Sequence, residues 1–407
     1  MGISKTFCLG LVLLSLGACS WQKKEEDLGS NSVKVQIPVS ENGEYRLEVV
    51  ELFTLENLTH LQGSAAQFLI DPDSVSGSLK GRHPEIRYIR DNQGVIVAKD
   101  SISLQLLTTY AHLEMLQKLD REAGAEKVLS YPRKVAINVA FQNQSESSKD
   151  NAFYSGKYDA LLMVPFTQPT LPLMVNAGVI AHEHFHALFQ KLVIEGLKEK
   201  YPENPQFSLH EEGLRIDAKD NKKRTKYHAV FMRGLNEGLA DVWGWIYSGD
   251  NFFVGRSLPS EKADRELSVL PEQLKSSAEI REAVASGESD RSLLWRSYEQ
   301  GTQLARTLRS FANQYAVREK RDINQLRLPL AQWIIATLPA IKKDFETLKE
   351  DEYLSMSRVV GLFANQVPTL SSKDCTFFSD LMPLGDQPEA FVKRCADLAL
   401  QQKDPQP

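Results

Sequence analysis

Hydrophobic and polar positions divide the chain into two regions of different period. From 33 to about 99 the pattern favours strands. Val33-Lys34-Val35-Gln36-Ile37 alternates, 45–55 continues in extended style, and 87–97 predicts a hairpin around Asp91-Asn92-Gln93-Gly94. At 103–122, Leu106, Tyr110, Leu113, Leu116 and Leu119 recur at helical spacing. A strand is predicted at 135–141, followed by the apolar run 160–164. A further helix carries Val179-Ile180-Ala181 at its start and Leu192-Val193 near its end. From Asn236 onward the stripes have a helical period, over 292–317, 328–348 and 355–366. Strands first and helices afterwards predict an α+β fold: an N-terminal mixed β-sheet with a helix packed on it, then a mainly α-helical C-terminal subdomain. A functional cleft is expected between the two halves.

The chemistry concentrates on the helix after 160–164. His182-Glu183-His184-Phe185-His186 places two histidines at i and i+4, one above the other, so both imidazoles reach one metal ion. Glu183 lies on nearly the same face, where a carboxylate can take a proton from water activated by that metal. His184 points away and is not expected to be a ligand. A catalytic zinc needs a third protein ligand. Asn236-Glu237-Gly238-Leu239-Ala240-Asp241 offers one: Glu237 and Asp241 share a helix face, so Glu237 can bind metal while Asp241 orients a ligand histidine through its other nitrogen. The bland alternatives are histidines kept for packing and an acidic first turn of a helix. Two complementary half-sites in one chain weigh against both.

These residues resemble the gluzincin metallopeptidases, and within them the thermolysin-like group. The resemblance implies zinc bound by His182, His186 and Glu237, Glu183 as general base, and Asn236 and Asp241 holding the two histidines. Asn151-Ala152-Phe153-Tyr154 resembles the edge strand that hydrogen-bonds a peptide substrate in this family, with Asn151 and Ala152 as substrate contacts. An edge strand has free N–H and C=O groups for an extended peptide; without the family, the segment reads equally as a solvent-facing strand start after the polar run 142–150. An oxyanion donor is expected well downstream, and Tyr298 is the candidate. Tyr298 also falls in the apolar stripe Leu294, Tyr298, Gly301, Leu304, Leu308 and Phe311, so a core role stays open. His210 and His228 are weaker candidates because both precede Glu237.

The chain departs from the family in its spacing. From His186 to Glu237 is 237 − 186 = 51 residues, longer than usual. The surplus falls at 201–227, rich in Lys, Glu, Asp and Pro, and reads as a solvated insertion in preference to a lid. The ending Glu237-x-x-Ala240-Asp241 also resembles a membrane-associated and periplasmic gluzincin branch; Asn236 and 151–154 favour the thermolysin-like side. An acidic cluster for structural calcium is not apparent, so calcium is not expected.

Composition adds compartment and partners. A chain of 407 residues with 42% hydrophobic content can bury a large core in two or three subdomains. Its net charge of −5, without a basic patch interleaved with aromatics, argues against nucleic acid. Lys5 precedes an apolar run at 7–16, too short to span a bilayer. The run ends in Leu16-Gly17-Ala18-Cys19, which resembles a bacterial lipobox, the alternative being an ordinary cleaved signal. The resemblance implies a signal peptide over 1–18, acylation of Cys19, a tether over 19–32 and a domain held at a membrane surface by lipid. Ser20 resembles outer-membrane sorting. With Cys8 removed and Cys19 acylated, Cys375 and Cys395 are expected to form a disulfide in an oxidising compartment; two free thiols are the alternative.

The expected layout is therefore a β-rich region at 33–100, the catalytic sheet and helix at 101–200, the insertion at 201–227, a helical subdomain with the third ligand at 228–370, and a disulfide-bonded tail at 371–407. The expected activity is that of an exported, lipid-anchored zinc metallopeptidase acting on proteins or peptides. Two rivals remain: a non-proteolytic zinc-binding envelope lipoprotein with an assembly or binding role, and an enzyme acting on a non-peptide amide. Glu183 favours hydrolysis, since a structural zinc site needs no adjacent base.

Overall fold

Alternation at the start of the domain becomes β1 (Val33–Glu41), which buries Val33, Val35 and Ile37 and turns Lys34 to solvent. The computed structural model describes residues 32–403 apart from 42, 74–78, 140–148, 201–222, 288, 350–351 and 368–369. Cys19, the signal segment and most of the insertion lie outside the described residues. β1 pairs antiparallel with β2 (Glu44–Leu52), Val35 opposite Val50. After β3 (Leu55–Asn57), β4 (Gln62–Gly63), β5 (Ala66–Asp73) and β6 (Lys80–Arg82) come β7 (Tyr88–Arg90) and β8 (Ile96–Ala98). The last two form the expected hairpin. Asp91 accepts hydrogen bonds from the N–H groups of Gln93 and Val95, and Gly94 takes the positive φ of 79° that the turn requires. β8 also runs parallel to β1, completing a four-stranded sheet of order β2-β1-β8-β7.

A second sheet has the order β10-β11-β9-β5-β6, with β9 (Arg133–Ile137), β10 (Ala152–Ser155) and β11 (Ala160–Met163). β9 is parallel to β5 and β11, while β10 lies antiparallel to β11 at the edge. β5 and β6 thus join the strands that precede the histidine helix. β9 starts before the predicted 135–141 and stops at Ile137, because Asn138 adopts φ of 53°, which breaks the extended chain; 140–141 lie outside the described residues.

α1 (Ser101–Glu122) starts at Asp100, whose carboxylate caps the Ser103 N–H. α2 (Ala177–Phe189) is buried at every position and begins at Asn176, which caps the N–H groups of Gly178 and Val179. The helix continues through a π-turn at 190–194 into α3 (Glu195–Lys200). α4 (Lys223–Ser248), α5 (Phe253–Ser257) and α6 (Ser277–Ala285) follow, then α7 (Asp290–Glu319), α8 (Arg327–Thr347), α9 (Met356–Gln366), α10 (Ser372–Leu381) and α11 (Glu389–Lys403). The fold is α+β with a helical C-terminal part. Cys375 on α10 and Cys395 on α11 are disulfide-bonded, with Cα atoms 5.7 Å apart. No helix among the described residues is long and apolar enough to cross a membrane.

α4 is the central strut, packed on α2 along one side and α7 along another. Glycines set its depth. A Cβ on Gly238 would run into the carbonyl of Gly301, and one on Gly301 into the carbonyl of Gly234. Backbone faces backbone there, so neither helix can yield without moving its whole axis. Gly238→Ala is therefore expected to destabilise the protein by about 1–3 kcal/mol, the usual penalty of overpacking, despite alanine's better helix propensity. Denaturant unfolding measures this, and a stabilised variant would show that the two helices separate freely.

Candidate metal centre

One turn of α2 carries His182 and His186, whose rings lie edge to face with centroids 4.6 Å apart. α4 faces them with Glu237. His182 Nε2 is 3.4 Å from Glu237 Oε2, and His186 Nε2 is 3.9 Å from Glu237 Oε1. One donor atom from each of the three residues falls within a 4.8 Å cluster. Ligand atoms around a tetrahedral zinc, at bond lengths of ~2.0–2.2 Å, are about 3.3–3.5 Å apart, so the donors need only close slightly.

The surrounding groups fit a cation. Glu183, beside the pair, has its Oε2 3.9 Å from His186 Nε2. That oxygen is buried and has no hydrogen-bond partner among the described residues. Leaving a buried carboxylate oxygen unsatisfied is costly, so it marks a position where a further polar group belongs. Two imidazoles and a carboxylate are the nitrogen and oxygen donors that zinc takes in catalytic sites.

Behind the donors, Asp241 Oδ1 lies 3.0 Å from His182 Nδ1, which leaves Nε2 facing Glu237. Asn236, buried on α4, stands by His186 and raises its basicity, although its amide oxygen and His186 Nδ1 do not meet in a close hydrogen bond. Sequence reasoning missed Arg265. Its guanidinium grips both oxygens of Asp241, approaches His182 Nδ1 at 3.4 Å and lies 3.8 Å from Glu237. It comes from the irregular segment between α5 and α6, where no periodicity or motif announces it.

Electrostatics divide the two histidines. Burial disfavours the charged form of His182, but the hydrogen bonds its ring donates to Asp241 and Glu237 outweigh it and raise the pKa to about 9. Burial lowers His186 to about 4 against the pull of Glu237. Burial also lifts Glu183 to about 8, with the His182 charge opposing. Glu237 and Asp241 move the other way. Despite burial, the histidines hold Glu237 well below the carboxylate range, and Arg265 with His182 does the same for Asp241.

The remaining sequence candidates separate. β10 packs against α2, and the Tyr154 main-chain N–H acts on the Glu183 carboxylate, so the expected substrate strand does border the donors. Among the described residues its one neighbour in the sheet is β11. Ala152 is buried, whereas exposed Asn151 turns its side-chain oxygen back onto the Ala152 N–H at 2.9 Å. Tyr298 sits on α7 with the Arg233 guanidinium over its ring at 5.7 Å. Burial and then the Glu237 charge raise its pKa, which places it within electrostatic reach of the donors. His228 packs among Tyr227, Phe345 and Tyr353, and His210 lies outside the described residues. His184 turns from the donors, as expected, and meets the buried Asp120 carboxylate at 3.0 Å, tying α2 to α1. No known protein-family model matches the chain, and no curated protein matches it.

Proposed function

We propose that this chain is a zinc-dependent peptidase with a thermolysin-like fold, exported and held at a membrane surface by lipid on Cys19. The observation that carries the reading is the convergence of His182, His186 and Glu237 beside the unsatisfied carboxylate oxygen of Glu183. Bound there, zinc would supply Lewis acidity, polarising a carbonyl and lowering the pKa of water.

Each chain residue then has a defined task. Glu183, whose buried outer oxygen has no partner among the described residues, takes a proton from the attacking water and delivers it to the leaving nitrogen. Asp241 fixes the orientation of His182, and Asn236 supports His186. The edge strand β10 binds an extended peptide as an added strand, with Asn151 and Ala152 at its start. Tyr298 is assigned to the developing oxyanion. Endopeptidase action is part of this proposal, since a peptide bound along a strand need not offer a chain terminus.

The test is hydrolysis of an unfolded protein before and after chelation. Activity should disappear with a zinc chelator and return with one equivalent of zinc. Chelator-resistant hydrolysis, or none in the zinc-loaded protein, would reject the reading and favour a binding role. A pH dependence follows as well. His182 is protonated in the metal-free protein below about 9, so zinc must displace that proton. Zinc affinity should therefore rise about tenfold per pH unit between roughly pH 6 and 8, with at least about one proton released per zinc. Calorimetry in buffers of different ionisation enthalpy counts the protons; pH-independent affinity would contradict the charged state of His182.

A further inference from the structure

A cavity lies at the far ends of the two donor helices, where the start of α2 and the last turn of α4 meet α1, β1 and the start of α8. Its volume is about 390 Å³, within the range of small-molecule sites. Met115, Ile246 and Leu328 give it apolar walls, and His112, Tyr247 and Arg327 supply polar groups. No Asp or Glu lines it among the described residues.

His112 is 2% exposed, and its Nδ1 lies 2.7 Å from the Tyr247 hydroxyl. A phenol is a better proton donor than a neutral imidazole N–H, so the tyrosine donates and the ring proton resides on Nε2. Burial draws the His112 pKa down to about 4, which keeps the ring neutral at physiological pH. Nε2 is buried and has no hydrogen-bond partner among the described residues. A buried N–H donor without an acceptor is rare enough to require one. Arg327 adds a half-buried guanidinium with no hydrogen bond or ion pair among the described residues; burial lowers its pKa, with Tyr247 and Asp322 acting on it only through space. The cavity is thus lined by one charged donor, Arg327, and by the edge of the neutral His112 ring, against apolar walls.

We infer that this cavity binds a small monocarboxylate with an apolar body, its carboxylate held by Arg327 beside the neutral His112 ring. Such a carboxylate could belong to a free aliphatic acid or to the C-terminus of an apolar peptide. The site is separate from the metal centre, and its test reads binding rather than hydrolysis, so it stands or falls independently of the peptidase proposal.

Calorimetry of the full chain with octanoate, n-octanol and N-acetyl-leucine tests it. Octanoate or N-acetyl-leucine should bind saturably at one site per chain, and the tighter of the two identifies the source of the carboxylate. n-Octanol should bind at least about tenfold more weakly than octanoate if octanoate is the tighter ligand, reflecting a lost charged hydrogen bond. Arg327→Met, at a half-exposed position, should weaken the carboxylate by about tenfold or more and leave the alcohol unchanged. The imidazole N–H resonance of His112 should shift on carboxylate addition in both proteins. Absence of saturable carboxylate binding, or binding indifferent to Arg327 and silent at His112, would overturn the inference.

Discussion

Glu183→Gln should lower peptide hydrolysis by about 10²–10⁴-fold, the usual contribution of a general base, while the protein still folds and binds about one zinc per chain. Glutamine has the same shape but cannot accept a proton, and the three metal donors are untouched. Stability should not fall. Glu183 is a buried carboxylate whose pKa is raised by burial and whose outer oxygen lacks a partner among the described residues, so neutralising it removes a desolvation cost. This sign distinguishes a functional carboxylate from a structural one. Loss of activity with undiminished stability is the expected pair; a variant that cleaves like the wild type would remove Glu183 from the mechanism.

Arg265→Met should have the largest effect on stability, lowering it by about 3–5 kcal/mol in the metal-free protein. Asp241 is almost fully buried, and Arg265 holds both of its oxygens. Methionine fills much of the volume but leaves that carboxylate with His182 alone among the described residues. Zinc affinity should not fall in the same variant, because the lost cation lay 3.8 Å from Glu237 and opposed a metal at the donors. Denaturant midpoints and zinc titrations separate the two effects. An unchanged midpoint would mean that Asp241 is satisfied by solvent. Arg265→Lys should recover only part of the stability, since an ammonium cannot reproduce the two-pronged grip.

Arg265 also shows where the sequence stops being readable. His182, Glu183 and His186 fall within five consecutive residues, and Glu237 with Asp241 within another five, so helical geometry alone groups each set. Arg265 reaches Asp241 across 24 residues from a segment without periodicity. Asp120, which fixes His184, acts across 64. Neither contact leaves a local trace.

The same division runs through the fold. Alternation and turn chemistry predicted β1 and the hairpin of β7 and β8, because both depend on neighbouring residues. The parallel pairing of β5 with β9 joins segments separated by a long crossover and follows from packing rather than pattern. It also brings strands from before residue 100 into the sheet that borders the donors. The close seating of α4 on α7 was similarly hidden. Gly234, Gly238 and Gly301 are visible in the sequence, but their opposition appears only when the helices meet.

Anomalous diffraction at the zinc edge, from crystals grown with one equivalent of zinc, would test the metal centre most directly. A single strong peak is expected at about 2.0–2.2 Å from His182 Nε2, His186 Nε2 and a Glu237 carboxylate oxygen, and it should vanish in Glu237→Ala. A peak elsewhere, or no peak at saturating zinc, would contradict a metal centre built on α2 and α4.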